Sequence, residues 1–231
     1  MTRRPLTLLK VVVLSGALAL GFATTEASAS AFFDYHFGSC AQVTGTCALN
    51  TPLSSTLIFT SNGVPVTADG FSLPSTPADL FIRSTIPTAL GIASEASHEI
   101  DPTEFVTLDL SGLASEGITT GTLFIDGVAP PGPGAEQFRV CNSTADNMLC
   151  STSSFNGVFG ANGGNGRPNT WAGSVAWAAA APFIDVTGVV TSAGVNSDVL
   201  IDSLVVPEPT SLALIAIGLA GLALARYRKV F

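Results

Sequence analysis

The sequence predicts an all-β fold, a β-sandwich of the jelly-roll type, lying between two terminal segments of different character. Roughly nine or ten short runs rich in β-branched and aromatic residues recur along the middle of the chain, separated by Gly, Pro and Asn turn residues. No amphipathic pattern of helical length appears between the termini. Many short strands joined by turns fold into two packed sheets rather than into helical layers.

The composition is apolar, and the few charges are unevenly distributed. Hydrophobic residues make up 47% of the chain and charged residues 11%, whereas a soluble domain carries about 25% charged residues. The segment 30–206 holds only three of the nine basic residues but fifteen of the seventeen acidic ones, a net charge of −12. It lacks the basic surface that nucleic-acid binding requires, so nucleic acid is excluded as a partner.

Residues 1–29 have the three parts of a secretory signal peptide. A basic start (Arg3, Arg4, Lys10) precedes the apolar run 11–20, and Ala27-Ser28-Ala29 is a small-residue cleavage site. The chain is therefore expected to be exported and cut before residue 30, and an uncleaved signal anchor is the alternative.

The predicted strands of the exported domain, residues 30–205, differ in the strength of their signals. Asn62-Gly63 between two apolar runs is a strong hairpin signal. The run 104–111 alternates and predicts a half-buried strand, with Val106, Leu108 and Leu110 on one face and Thr107, Asp109 and Ser111 on the other. The other predicted strands are 80–82, 120–125, 137–140, 171–177, 183–190 and 198–206.

Four cysteines fall in the exported domain, and an even number in an oxidising compartment implies disulfides. Three connectivities are possible. We predict the local one, Cys40–Cys47 with Cys141–Cys150, because each pair brackets a short turn-like stretch. A metal site is the alternative, but the C-x₂-C spacing of such sites is missing.

The C-terminal segment, residues 206–231, begins with Pro207-Glu208-Pro209. An uncharged run, Ser211 to Ala225, follows and ends in the basic residues Arg226, Arg228 and Lys229. As a helix this run would be about 22 Å long, shorter than the roughly 30 Å hydrocarbon core of a bilayer. The basic cluster nevertheless favours a single transmembrane helix with its C-terminus in the cytoplasm.

This tripartite order resembles the PEP-CTERM sorting signal of Gram-negative bacteria. The resemblance implies export, transient anchoring in the inner membrane and processing at Pro207-Glu208-Pro209 by an exosortase, an enzyme of the transpeptidase type. It also implies a place where extracellular polysaccharide or biofilm matrix is made. Physically, two prolines keep the motif extended, which suits a processing enzyme. The closing run 199–206 looks like the last strand of lectin-like jelly rolls.

The densest polar cluster of the exported domain is a candidate calcium site. Glu99, Asp101 and Glu104 stand close together beside His98, and Ca²⁺ takes six to eight oxygen ligands. The EF-hand pattern is missing, and the alternative is a solvated loop whose acids cap the next strand.

Other motifs carry weaker signals. The glycine-rich stretch 157–166 lacks the lysine of a phosphate-binding loop and is interpreted as a flexible surface loop. Trp171 and Trp177 could stack on sugars, but two core tryptophans are the favoured interpretation. Only His36 and His98 could serve as imidazole bases, and no G-x-S-x-G sequence is present.

These observations predict a non-catalytic surface or extracellular-matrix protein, associated with exopolysaccharide or biofilm, that needs no cofactor. A carbohydrate-binding module, with Ca²⁺ as a cofactor, is the first alternative. A glycoside hydrolase with paired carboxylates is the second, although nothing in the sequence singles out a pair. An exosortase, the inner membrane before processing and polysaccharide are the expected partners.

Overall fold

The structure, a computed structural model, describes residues 31–85, 88–94, 96–129, 135–152, 155–191, 194 and 197–207. The predicted signal peptide and the predicted transmembrane run lie outside these residues. No helix within the described ranges is long and apolar enough to cross a membrane. The strands are β1 (Ala31–His36), β2 (Thr56–Ser61), β3 (Val64–Ser72), β4 (Thr76–Pro77), β5 (Leu80–Ile82), β6 (Leu90–Ile92), β7 (Glu104–Asp109), β8 (Thr120–Asp126), β9 (Phe138–Ser143), β10 (Asn156–Phe159), β11 (Thr170–Ala176), β12 (Phe183–Gly188) and β13 (Leu200–Pro207). One short helix, α1 (Ser111–Ser115), follows β7, and two 3₁₀ turns cover Cys40–Gln42 and Gly164–Gly166.

Two antiparallel sheets form a β-sandwich, as predicted. One sheet has the order β11-β8-β13-β6-β5, with β1 also paired to β13. The other has the order β10-β9-β12-β7-β3-β2, with β4 paired to β3. Four strands of the first sheet, in the order β6-β13-β8-β11, face four strands of the second, in the order β7-β12-β9-β10. From β6 onward, every connection between consecutive strands passes from one sheet to the other, except the β9–β10 connection, which stays within the second sheet. This is the strand order of an eight-stranded jelly roll.

The β2–β3 hairpin forms at the predicted turn. Asn62 and Gly63 have φ angles of 47° and 82°, the two positive values that a type I′ turn requires. Ser61 and Val64 are the first pair of the ladder on either side of the turn. The register of this hairpin is therefore set by two residues.

The core lies between the sheets and takes alternate residues from each strand. In β2, for example, Leu57 and Phe59 are buried whereas Ile58 is 38% exposed. Trp171 and Trp177 belong to this core, so the favoured interpretation of the two tryptophans is confirmed. Trp177 also donates its indole N–H to the carbonyl of Ile118 at 2.9 Å, as buried tryptophans commonly do.

The sequence interpretation of β7 as a half-buried strand is wrong. Val106 and Leu108 face the core as predicted, but Thr107 on the opposite face is also fully buried. The segment 143–152, tied back by the Cys141–Cys150 disulfide, supplies groups that close over this outer face. The alternation of polar and apolar residues within one strand cannot show that a segment distant in sequence will bury the polar face.

The structure has more strands than the roughly nine or ten expected from the sequence. The strand β10 extends into the glycine-rich stretch 157–166 predicted as a loop, and β1 was not predicted at all. The strands β4 to β6 have two or three residues each, too few to show a period. The run 80–82 was nevertheless predicted and forms β5, whereas β4 and β6 are strands because of their pairing partners rather than their own propensity.

Candidate functional site

The candidate functional site is the junction where the last strand meets the Pro-Glu-Pro motif. The strand β13 ends at Pro207, the first residue of that motif, so no linker separates the folded domain from it. On one side β13 pairs with β8 as far as Val205. On its other side it pairs with β1, whose Ala31 lies opposite Pro207.

The strand β1 is anchored in the core by its aromatic side chains. Phe33 is 2% exposed and Tyr35 is fully buried. The Tyr35 hydroxyl donates to the carbonyl of Val64 at 3.1 Å in the facing sheet. Because β1 begins two residues after the predicted cleavage site, the expected start of the exported chain lies beside Pro207, the first residue of the motif.

Side chains close the outer edge of β1. The Gln42 side chain accepts from the His36 backbone N–H and donates to the Asp34 carbonyl, each at 2.7 Å. The Asp34 backbone N–H donates to Ser61 Oγ at 3.1 Å. An edge strand otherwise offers such groups to other chains, so Gln42 and Ser61 take the place of a neighbouring strand.

A disulfide frames the turn that carries Gln42. Cys40 and Cys47 are bonded, with their Cα atoms 5.6 Å apart, and the 3₁₀ turn Cys40–Gln42 lies inside this closed loop. Cys141 and Cys150 form the second bond. The predicted local connectivity is confirmed, and no cysteine of the described residues is free.

The structure describes only the first residue of the Pro-Glu-Pro motif. Pro207 is exposed at the end of β13. Glu208 and Pro209 lie outside the described residues, as do the basic residues Arg226, Arg228 and Lys229.

The three predicted calcium ligands lie at the other end of β13. Ile100 pairs with Val199, just before β13 begins, whereas Pro207 ends that strand. We call the end of the sandwich near Ile100 and Val199 the loop end. Seven residues of extended chain separate it from the junction at Pro207, a distance of roughly 20 Å.

Each of these three carboxylates has protein partners. Glu99 accepts from Arg83 at 2.6 Å. Asp101 accepts from the backbone and hydroxyl of Thr103, each at 2.6 Å. Glu104 is 2% exposed and is bonded to the Ser94 hydroxyl.

Among the described residues, side chains whose ligand atoms are close enough to share a metal ion lie elsewhere, beside β12. Cys141, Cys150 and Asp185 are the one set of three candidate side chains whose ligand atoms lie close together there. The two cysteines of that set are bonded to each other, so their sulfurs do not offer thiolates. The calcium site at Glu99, Asp101 and Glu104 stays a prediction.

The loop end also gathers acids that the sequence analysis did not connect. Burial, with smaller contributions from Asp198 and Glu136, raises the pKa of Glu99 against the opposing effect of Arg83. Burial likewise raises the pKa of Glu136, which accepts from the Ala129 backbone N–H at 2.7 Å. These residues come from three separate loops, so no local motif could have found them.

Asp126 and Arg167 form an ion pair at the same end of β8 and β11. Arg167 Nη1 lies 2.8 Å from Asp126 Oδ2, and the Asp126 side chain is 1% exposed. Burial, with a smaller contribution from Asp202, raises the pKa of Asp126 to about 6 against the opposing effect of Arg167. The pair connects the loop before β11 to the end of β8.

Asp185 is a buried carboxylate that the sequence analysis missed. It lies on β12 under the segment 143–152 and has no exposed surface. Its Oδ1 accepts from Thr107 Oγ1 at 2.7 Å, and its Oδ2 accepts from the Cys150 backbone N–H at 2.7 Å and from the Ser143 hydroxyl. Desolvation raises the pKa of Asp185 to about 6, although these hydrogen bonds lower it. The sequence signal that could have revealed this buried carboxylate is its position as the single acid in the otherwise apolar run of β12.

The two histidines contact different kinds of partner. His36 Nε2 lies 3.1 Å from Asp34 Oδ2 at the exposed edge of β1. The His98 ring stacks on Phe81 with the ring centroids 3.9 Å apart.

The glycine-rich stretch is packed rather than free. A Cβ on Gly164 would lie 2.6 Å from the backbone nitrogen of Ala172. Asn162 donates its side-chain amide to the Ala172 carbonyl at 2.7 Å and accepts from the Ala172 N–H at 2.9 Å. This stretch lies at the surface as predicted, with Asn162 and Gly163 exposed. Residues 162–164 are nevertheless bonded to and packed on β11, because glycine allows the backbone to approach it closely.

Comparison with known proteins identifies the C-terminal segment. Residues 205–229 match the profile of the PEP-CTERM protein-sorting motif. The resemblance inferred from the sequence is confirmed: the chain carries this motif, which implies export and processing by an exosortase-type enzyme. No curated protein and no solved structure matches the chain significantly.

Proposed function

We propose that this chain is a non-catalytic protein of the cell surface or extracellular matrix, acting in a polysaccharide-rich envelope or biofilm. The observation that carries the proposal is the PEP-CTERM motif attached without a linker to the last strand of a disulfide-bonded sandwich. In this proposal the signal peptide is removed on export, and the C-terminal run holds the chain in the inner membrane. An exosortase then processes the motif, and the sandwich passes to the surface or the medium.

The proposal of a non-catalytic role is supported by what the buried polar groups do. Asp185 holds the segment 143–152 to the sheet, Glu104 bonds to Ser94, and Arg83 pairs with Glu99. These groups join parts of the fold to one another. A stable scaffold in an oxidising compartment is what a matrix component needs.

The sorting step is tested by changing the motif outside the folded domain. In the native host, we expect Glu208→Ala/Pro209→Ala to stay in the membrane fraction with its C-terminus at Phe231, because the processing enzyme no longer recognises it. The wild-type chain should appear at the surface or in the medium as a shorter species. Intact mass of each fraction makes the measurement.

The matched control for this test is Glu116→Ala/Pro168→Ala, which changes the same residue types at exposed positions of the sandwich. It should be processed like the wild type. Equal processing of the motif variant and the control would contradict the sorting step.

A carbohydrate-binding module is the second candidate, and the loop end favours it. Three loops bring Glu99, Glu136 and Asp198 into electrostatic contact there, and Ca²⁺ with polar groups could bind sugar hydroxyls. No Phe, Tyr or Trp side chain among the residues that the structure describes is fully exposed, so stacking of such rings on sugars would contribute little.

Binding of the host's own exopolysaccharide, lost with chelator and restored by Ca²⁺, would favour the second candidate over the matrix role. A carboxylate-based glycoside hydrolase is the third candidate. Hydrolysis of that polysaccharide, abolished by a single carboxylate-to-amide substitution, would favour it. Loss of matrix cohesion on deletion of the chain, with neither binding nor hydrolysis, would favour the first.

A further inference from the structure

The final residues of β13 are protected by their neighbours in the sheet. Val206 is fully buried and lies opposite Phe33 of β1. Pro207 lies opposite Ala31. A peptide bond within a ladder reaches an enzyme only when the ladder opens locally. The bonds before Pro207 are thus shielded in the folded chain.

The shield on this side consists of β1, and Gln42 holds β1 from outside. Its side chain bonds both the His36 N–H and the Asp34 carbonyl at 2.7 Å. Asp34 lies opposite Val205, and His36 lies opposite Ser203. Gln42 therefore braces the part of β1 that covers the end of β13.

We infer that the folded sandwich limits where the sorting motif is processed: the bond that is broken lies on the C-terminal side of Pro207, and Gln42 is the positioning residue that maintains this limit through β1. This inference rests on the proposed sorting function. It adds that the N-terminal strand of the exported domain, far from the motif in sequence, determines which bonds the processing enzyme can reach.

The chemistry at the permitted bond balances without a cofactor from this chain. The peptide C–N bond breaks, and its nitrogen leaves with a proton as the amine of the C-terminal fragment. The carbonyl carbon bonds to a nucleophile that gives up that proton. Water yields a carboxylic acid, a hydroxyl group yields an ester, and an amine yields an amide.

The first test maps the C-terminus of the protein purified from its native host, by intact mass and by peptide sequencing. We expect the wild type to retain Pro207 in every processed molecule. In Gln42→Ala we expect about a tenfold rise in the fraction that ends at or before Val206, since two backbone hydrogen bonds of β1 are lost. Gln42→Glu keeps an acceptor for the His36 N–H and should give an intermediate fraction.

The matched control is Gln137→Ala, because the Gln137 side chain is exposed and lies away from β1. It should behave like the wild type. Wild-type product that ends before Pro207, or Gln42→Ala product identical to wild type, would overturn the inference while leaving the sorting function intact. Wild-type chain ending at Phe231 would overturn both.

The second test is independent of the processing enzyme. Amide hydrogen exchange on the full chain in detergent should be about tenfold faster in Gln42→Ala for residues 31–37 and 203–206, with β12 unchanged. Unchanged exchange in the β1–β13 ladder would overturn the role of Gln42. Faster exchange in β12 as well would mean general destabilisation, which also overturns the specific role.

Discussion

At the scale of single residues, Asp185 determines how the outer face of one sheet is closed. It accepts hydrogen bonds from Thr107, Ser143 and Cys150, which belong to β7, β9 and the segment 143–152. An apolar side chain at this position would leave the Thr107 hydroxyl and the Cys150 N–H without an acceptor, whereas the Ser143 hydroxyl also bonds the Met148 carbonyl. Each unsatisfied buried donor costs about 1–3 kcal/mol. The carboxylate is therefore a structural link between two strands and the disulfide-bonded segment.

We predict that Asp185→Ala lowers the free energy of unfolding by about 3 kcal/mol or more, because the Thr107 hydroxyl and the Cys150 N–H lose their acceptor and a cavity remains. Asp146→Ala is the control: Asp146 lies in the same segment but is exposed, and its loss should change stability by less than about 0.5 kcal/mol. Urea unfolding of both variants is the measurement. Similar midpoints for the two would show that Asp185 does not link the segment to the sheet.

At the scale of an element, the glycine-rich stretch joins the two sheets at one edge of the sandwich. It leads from β10 to β11, and Phe159 of β10 packs on Trp171 of β11 with the ring centroids 4.8 Å apart. Gly164 allows the connecting backbone to approach β11 closely. Packing therefore explains the glycine at position 164.

We predict that Gly164→Ala costs about 1–3 kcal/mol of stability, since its Cβ would meet the backbone of Ala172. Gly160→Ala is the matched control from the same stretch, because its Cβ would meet only the Glu136 carbonyl, at 3.6 Å. It should stay within about 0.5 kcal/mol of wild type. Thermal or urea unfolding compares them, and equal stability of the two would mean that the stretch is not docked on β11.

At the scale of the whole molecule, the two ends of the sandwich carry different functional groups. One end holds the junction of β1, β13 and the sorting motif. The other holds Glu99, Glu136 and Asp126, whose pKa values burial raises. In the proposed function, the motif would tether the first end to the membrane before processing. The acidic loop end, at the opposite end of β13, would then be the end available to matrix components.

The raised pKa values predict that the protein is more stable in mild acid than at neutral pH. The unfolded pKa of aspartate is about 3.9, whereas burial raises the pKa of both Asp126 and Asp185 to about 6 in the folded chain. The stability that these groups contribute is thus fully present below about pH 4 and is lost as the pH rises through about 6.

Between pH 5 and pH 7.5, the free energy of unfolding should fall by roughly 1 kcal/mol for each of the two groups. Urea unfolding at the two pH values measures the fall. Asp185→Asn should remove the part due to Asp185, and an unchanged pH dependence in this variant would refute the assignment. A wild type that is more stable at pH 7.5 would contradict the prediction as a whole.

Local patterns predicted the features that depend on residues close in sequence. The Asn62-Gly63 turn formed because two adjacent residues accept positive φ angles. The disulfides formed between cysteines seven and nine positions apart. The β-sandwich expected from many short strands was also confirmed. The burial of Thr107 was mispredicted, because it is decided by Asp185 and the segment 143–152, which are distant from β7 in sequence.

By itself, then, the sequence determined the sorting motif, the all-β class, the hairpin turn and the local disulfides, since each follows from the chemistry of neighbouring residues. Only the tertiary structure decided that β1 lies against β13, that Gln42 closes the edge of β1, and that Asp185 anchors the segment 143–152. These contacts join residues far apart in the chain. Their free energy appears only after the two sheets have closed over a common core, and no local pattern records which partners then meet.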